Sequence, residues 1–236
     1  MLHLSSSHFD PKQTIHALFI YGCPGLEITR EPMSGLSKGA TWMIAKPTLS
    51  GPRVLLRNPE PRDLTDRLVL GFDPAIVHMF GVDPNLANTI PALAPLTTGS
   101  AAAWRAWLAN EPHGWVVEHE GHLLGDVRLI ATPVDRAPGR AELAISLYDT
   151  AKLGLGLGRE TIRLVLDHAF RTLELHRVGL RVASYNERAI RCYAACGFIV
   201  EGRIREASLI AGERFDDLVM GILASDFHKA AVKSNC

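Results

Sequence analysis

The sequence predicts a mixed α/β domain in which a central, mostly antiparallel sheet is flanked by helices. Three observations carry this expectation. Ile162, Val165, Leu166, Ala169, Phe170 and Leu173 recur at helical spacing, so Arg159 to Leu173 reads as an amphipathic helix with one buried stripe. Alternating apolar residues mark strands on both sides of it, with Leu143, Ile145 and Leu147 before and Val178, Leu180 and Val182 after. Hairpin patterns open and close the region, and strand, helix, strand, helix, strand after an antiparallel start calls for helices on the faces of a mixed sheet.

Taken in order, Arg53 to Arg57 is a short strand set off by Gly51-Pro52 and Asn58-Pro59. Asp63 to Leu70 follows as a helix, and Pro74 to Phe80 as a second segment after a break at Gly71. Ser100 to Ala109 reads as a helix capped by Ser100, with Trp104, Trp107 and Leu108 at helical spacing. Gly114 to Glu118 and His122 to Ile130 form a hairpin across Glu120-Gly121, and Ala141 to Tyr148 is a third strand. Beyond the amphipathic helix, Asn186 to Cys196 is helical and stopped by Gly197, and Phe198 to Val200 begins another strand. Glu206 to Ile210 and Phe215 to Leu223 form a last hairpin turning at Ala211-Gly212. Trp104, Trp107 and Trp115 are expected to pack the Ser100 to Ala109 helix onto the sheet.

All fourteen prolines precede Arg140, and the first 47 residues mix Ser, His, Gly and Pro without sustained periodicity. The expected organisation is an N-terminal appendage over 1–47, a domain over 48–228 and a tail over 229–236. A balance of 25 Lys+Arg against 25 Asp+Glu argues against nucleic acid or a polybasic membrane patch as partner. No apolar run is long enough to span a bilayer, and Ile15 to Cys23 is a poor secretory signal. Cysteines at 23, 192, 196 and 236 form no C-x-x-C, which points to a reducing cytoplasm.

The chemistry-bearing feature is Gly154-Leu155-Gly156-Leu157-Gly158, between a strand and the strongest helix. Alternating glycines allow close backbone approach, and a helix start presents unpaired N–H groups, so the turn suits a phosphate or pyrophosphate. It lacks the Lys-Ser or Lys-Thr of a nucleotide P-loop, and its spacing fails the dinucleotide pattern. A turn that merely permits tight helix–strand packing is the plain alternative.

From Ala141 to Leu223 the order of elements and the residues at their joints resemble the GNAT acetyltransferase superfamily, in the branch of ribosomal-protein N-terminal and spermidine acetyltransferases. That family's pyrophosphate signature, [QR]-x-x-G-x-[GA], falls on Leu153 to Gly158, and Asn186 to Phe198 matches N-x-x-A-x-x-x-Y-x-x-x-G-F. Arg53 to Arg57 and Gly125 to Leu129 match its opening and third strands. The resemblance implies a sheet splayed into a V at a coenzyme site, and acetyl-CoA as co-substrate held by Leu153, Gly154, Leu155, Gly156, Leu157, Gly158, Arg159 and Asn186. Leu153 departs from the family's Gln or Arg, leaving Lys152 or Arg159 to compensate.

The implied activity is N-acetyl transfer to a primary amine, on a protein N-terminus or a small molecule, directly in a ternary complex. By the resemblance Tyr193 is the acid that protonates the departing thiolate; packing beneath Phe198 is its other reading. Glu142 faces away from Leu143, Ile145 and Leu147 and by the resemblance is the base, a surface glutamate being the alternative. Asn186 serves as helix N-cap as well as beside the pantetheine arm. Cys192 and Cys196 read as small buried helix residues, and His113, His119 and His122 lack the further ligands of a zinc site, so no metal is expected. A coenzyme-A-binding regulatory module without catalysis is the rival function, and a homodimer is one assembly to be expected.

Overall fold

The computed structural model describes residues 46–79, 81, 83, 96–131 and 139–233. The appendage up to residue 45, Phe80, and Cys23 and Cys236 lie outside them. Strands β1 (Leu49–Ser50) and β2 (Val54–Arg57) lead to helices α1 (Asp63–Leu70), α2 (Pro74–Met79) and α3 (Thr98–Asn110). Then come β3 (Gly114–His119), β4 (His122–Ala131), β5 (Arg140–Leu147), a 3₁₀ turn (Thr150–Lys152) and α4 (Leu157–Asp167), which ends in a π-helical turn over His168–Thr172. β6 (Arg177–Ala183), α5 (Glu187–Ala194), β7 (Ile199–Ile210), β8 (Glu213–Leu223) and α6 (Ala224–Lys233) complete the described elements.

Among the described residues one eight-stranded sheet runs in the order β1-β2-β3-β4-β5-β6-β8-β7. Every pairing is antiparallel except β5 with β6, which is parallel and limited to Arg140–Arg177, Ala141–Val178 and Glu142–Gly179. Beyond those three pairs the two strands no longer bond to each other, which is the splay expected at this joint. Glu120 and Gly121 both have positive φ, 53° and 82°, matching the right-handed twist of the β3–β4 hairpin.

The apolar stripe of α4 and its π turn, Ile162, Val165, Leu166, Ala169, Phe170 and Leu173, is buried against Val127, Leu129, Leu143, Val178 and Leu180 of the sheet. The opposite sheet face carries α3 through Trp104 and Leu108, packed on Val116 and Leu123. Trp115 departs from expectation: it joins the α4-side core, and its indole N–H donates to the Pro47 carbonyl at 2.7 Å. Gly114 to Val117 are all buried, so β3 is covered on both faces and alternation could not assign Trp115 a side.

Further differences have local causes. Thr97, not Ser100, caps α3: Thr97 Oγ1 accepts from Ser100 N, while Thr97 N donates to Ser100 Oγ, a reciprocal capping box. The Lys46 ammonium donates to the carbonyls of Leu108, Glu111 and Gly114, closing the C-terminus of α3, so the fold takes in residues ahead of the expected boundary at 48. β7 is continuous from Ile199, interrupted by register shifts at Val200/Gly202 and Ile204/Ser208, and α6 runs through residue 228.

The opening strand is tied to α1 by a buried ionic knot. Arg57 makes two bonds to the Asp63 carboxylate, at 2.7 and 2.9 Å, and one to Glu118. Asp63 also accepts from Glu60 N at 2.6 Å. Burial opposes the charge on Arg57, but the bonds to Asp63 and Glu118 outweigh it and hold the guanidinium above the ordinary arginine range.

Candidate active site

A cleft of about 400 Å³ opens where β5 and β6 part. Its floor is Ile145 and Leu147 of β5; the glycine turn and the start of α4 form one wall, and α5 forms the other through Asn186, Cys192 and Tyr193. Ile76 and Met79 of α2 line it as well. Tyr185 and Asn186 hold α2 there: the Tyr185 hydroxyl donates to His78 O at 2.5 Å and Asn186 Nδ2 to Met79 O at 3.0 Å.

The glycine turn has the backbone its sequence requires. Gly154 and Gly156 have φ of 82° and 84°, where a side chain is strained, and a Cβ on Gly154 would meet nothing within 4 Å. Gly156 is the N-cap of α4 and supplies no side chain to its first N–H groups, the first intrahelical bond being Glu160 N to Gly156 O at 3.1 Å. The donors of Leu157, Gly158 and Arg159 are thus left beside the cleft at the positive end of an eleven-residue helix. Helix α4 starts two residues before the sequence periodicity, because a left-handed glycine begins it.

Of the expected coenzyme residues, Leu153, Gly154, Gly156, Leu157, Gly158, Arg159 and Asn186 border the cleft. Leu155 does not, being 53% exposed on the outside of the turn. Lys152 also borders it, with its ammonium 3.2 Å from Glu120. Arg53, which local sequence gave no reason to place here, reaches across from the start of β2 and donates to Leu155 O at 2.9 Å. It holds the turn together with Glu160, whose carboxylate accepts from Arg53 N, Arg53 Nε and Val54 N at 2.7 to 3.1 Å. The contact spans 107 residues of chain, beyond the range of any motif.

Burial works against the charge of Glu160, but the N–H bonds from Arg53 and Val54 outweigh it and hold its carboxyl below the usual range. A depressed carboxyl contributes stability above its unfolded pKa, near 4.3, and loses that contribution as pH falls through the folded value. Glu160→Gln is therefore expected to be less stable than the parent at pH 7, by about 1–2 kcal/mol. The gap should close on acidification in parallel denaturation series; a gap independent of pH would contradict the ionic anchor.

Tyr193 lines the cleft and also packs edge-on against Phe198, with ring centroids 5.9 Å apart. Burial pushes its phenol well above the ordinary range, with the nearby Cys192 and Cys196 adding to it, so the hydroxyl keeps its proton at neutral pH. Asn186 caps α5 through Oδ1, which accepts from Ala189 N at 3.2 Å, while its amide nitrogen is bound to α2.

Glu142 is not among the cleft-lining residues. It lies on the other face of β5, at the last register still paired with β6, its carboxylate resting over Gly179. Ile145 on the cleft floor lies three residues further on, a rise of about 10 Å along the strand. Burial raises its pKa, opposed by Arg177 and Arg140. The three histidines diverge: His113 is buried beside Trp115 and His168, His119 Nδ1 lies 2.9 Å from Arg53 O, and the His122 ring is exposed 3.5 Å from Asp66. Among the described residues no helix is long and apolar enough to cross a membrane.

The family described as Acetyltransferase (GNAT) domain matches residues 53–199. A spermidine N(1)-acetyltransferase of Vibrio cholerae is 34% identical over 119 residues, covering 50% of this chain and 67% of that protein. The enzyme of the same name from Escherichia coli K12 is 33% identical over 99 residues, 42% of this chain and 52% of its own length, so the chain spans about half of that relative. Among solved structures, a V. cholerae spermidine N-acetyltransferase in complex with CoA and spermine superposes with a TM-score of 0.60 at 26% identity, over 75% of this chain and 99% of that one. A T. thermophilus structure described as a putative acetyltransferase gives 0.60 at 26% identity over 81% and 98%. With its splayed mixed sheet and its glycine turn at the head of α4, the chain belongs to the GNAT acetyltransferase family.

Proposed function

We propose that the chain transfers the acetyl group of acetyl-CoA to a primary amine, directly, in a complex holding both substrates. The observation that carries this reading is one cleft lined both by the start of α4, with its unpaired N–H groups, and by Tyr193. The α4 end suits the pyrophosphate, and the apolar floor of Ile145 and Leu147 suits the pantetheine arm leading towards Tyr193. The amine nitrogen attacks the thioester carbon, the tetrahedral oxyanion collapses, and the C–S bond breaks. Tyr193 gives its proton to the departing thiolate, and the proton lost by nitrogen passes through water to Glu142 on the other face of β5. The raised pKa of Glu142 suits a base, since a carboxyl held well below neutrality binds a proton poorly. The kinship with spermidine acetyltransferases makes small polyamines the first acceptors to try, ahead of peptide N-termini.

Acetyl-CoA at a hundredfold over its Kd should stabilise the fold by about 2.7 kcal/mol. Gly156→Val should abolish that response, because a branched side chain at φ 84° distorts the turn and obstructs approach to the α4 N–H groups. A thermal shift with NAD or ATP but none with acetyl-CoA would refute the proposal, and coenzyme binding without turnover on any amine would favour a regulatory module.

A further inference from the structure

Glu142 rests on a seat made by two glycines. Glu142, Gly179, Gly221 and Ile199 are register partners in one row across β5, β6, β8 and β7, so two neighbouring positions of that row carry no side chain. Both glycines are buried, and the groups lying over them are charged. A Cβ on Gly179 would lie 2.7 and 2.8 Å from the two Glu142 carboxylate oxygens, and one on Gly221 would run into the Arg177 guanidinium. The carboxylate thus lies against β6 at the last register before β5 and β6 part, with the guanidinium beside it over β8.

Opposite charges on adjacent positions ordinarily pair. Here Arg177 Nη1 and Nη2 both donate to the Glu201 carboxylate on β7, and among the described residues no ion pair joins Arg177 to Glu142. The other cations that bear on Glu142 are Arg140 on β5 and Arg181 on β6, the latter paired with Asp217 of β8 at 2.8 Å. Burial outweighs the pull of all three arginines and holds the carboxyl above the usual glutamate range, with Glu201 adding to it.

We propose that Gly179 and Glu201 are positioning residues for Glu142, the glycine giving its carboxylate a seat at the splay and Glu201 keeping the Arg177 guanidinium from pairing with it. The inference rests on the reading of Glu142 as the base of the transfer. A carboxylate locked in an ion pair takes up a proton poorly, whereas one held in place but unpaired accepts it closer to neutral pH. The backbone of Gly179 is outside the left-handed region, and an added Cβ there would displace only the end of a flexible side chain. Gly179→Ala should therefore fold and lift the carboxylate off β6.

The test compares the full chain with its Gly179→Ala, Glu201→Gln and Glu142→Gln variants. Carbon NMR of protein labelled at its glutamate carboxyls follows Glu142, assigned by the signal lost in Glu142→Gln. This carboxyl should titrate lower in both other variants than in the parent: in Gly179→Ala because it moves into water, and in Glu201→Gln, by about one unit, because the freed guanidinium pairs with it. With spermidine as the polyamine acceptor, Gly179→Ala should lower kcat about tenfold or more at unchanged acetyl-CoA Kd, and should have no further effect in the Glu142→Gln background. A carboxyl titration unmoved in either variant, or a Gly179→Ala loss that adds to that of Glu142→Gln, would overturn the proposal. Turnover tells the two failures apart. Glu142→Gln as active as the parent defeats the base reading and the positioning with it, whereas an impaired Glu142→Gln beside a fully active Gly179→Ala defeats the positioning alone.

Discussion

Tyr193→Phe is expected to lower kcat by about 10²- to 10⁴-fold while leaving acetyl-CoA affinity nearly unchanged. The ring stays, and with it the edge contact to Phe198 and the cleft wall; only the hydroxyl goes. Burial keeps that hydroxyl protonated, which suits the proposed role of donor to a thiolate and not that of a base. A role confined to packing predicts the reverse pattern, normal turnover in the Phe variant and damage only in Tyr193→Ala. Measuring kcat and coenzyme Kd for both variants decides between them, and a fully active Phe variant would end the acid assignment.

The largest effect on stability is expected at Asp63, far from the cleft. Its side chain is 1% exposed and faces an Arg57 side chain only 7% exposed. Asp63→Ala strands that guanidinium with Glu118 as its remaining carboxylate partner and also frees Glu60 N, so the cost should be about 3–5 kcal/mol. Replacing Arg57 and Asp63 together by apolar residues of similar volume should cost less than Asp63→Ala alone, since no unpaired charge is then buried. Chemical denaturation measures both. A loss under about 1 kcal/mol for Asp63→Ala would show that water reaches the knot.

The parts of this molecule that sequence made legible are those governed by local rules. The stripe on α4, the glycines of the turn and the Glu120-Gly121 hairpin each follow from spacing or backbone conformation within a few residues. Tyr193 and Asn186 came from a motif, and both line the cleft. What escaped depends on distant partners. Arg53 acquires its place at the turn only because Glu160, 107 residues on, is folded against it. Lys46 matters because three carbonyls at the end of α3 converge on it. Leu155 is in the signature yet turned outward, since a motif fixes the path of a turn and not which side chains face inward. Glu142 was set on the correct face by alternation, but alternation does not say where along the strand β5 and β6 part. β7 has most of its residues exposed and two register breaks, so no period-two signal joined the strand begun at Phe198 to Val200 with the one read over Glu206 to Ile210.

Those breaks bear on solubility. An outermost strand offers a row of unused backbone donors and acceptors to any other chain, and β7 also exposes Ile199, Val200 and Leu209. Its regular pairing with β8 covers 199–200, 202–204 and 208–210, never more than three consecutive residues. The stretches between carry Glu201, Arg205 and Glu206, the last at φ 51°, so the outer rim bends and bristles with charge where a straight template would be most adhesive. At the far rim β1 is two residues long. Protection from edge-to-edge aggregation is thus built into both margins of the sheet, one by irregularity and the other by brevity.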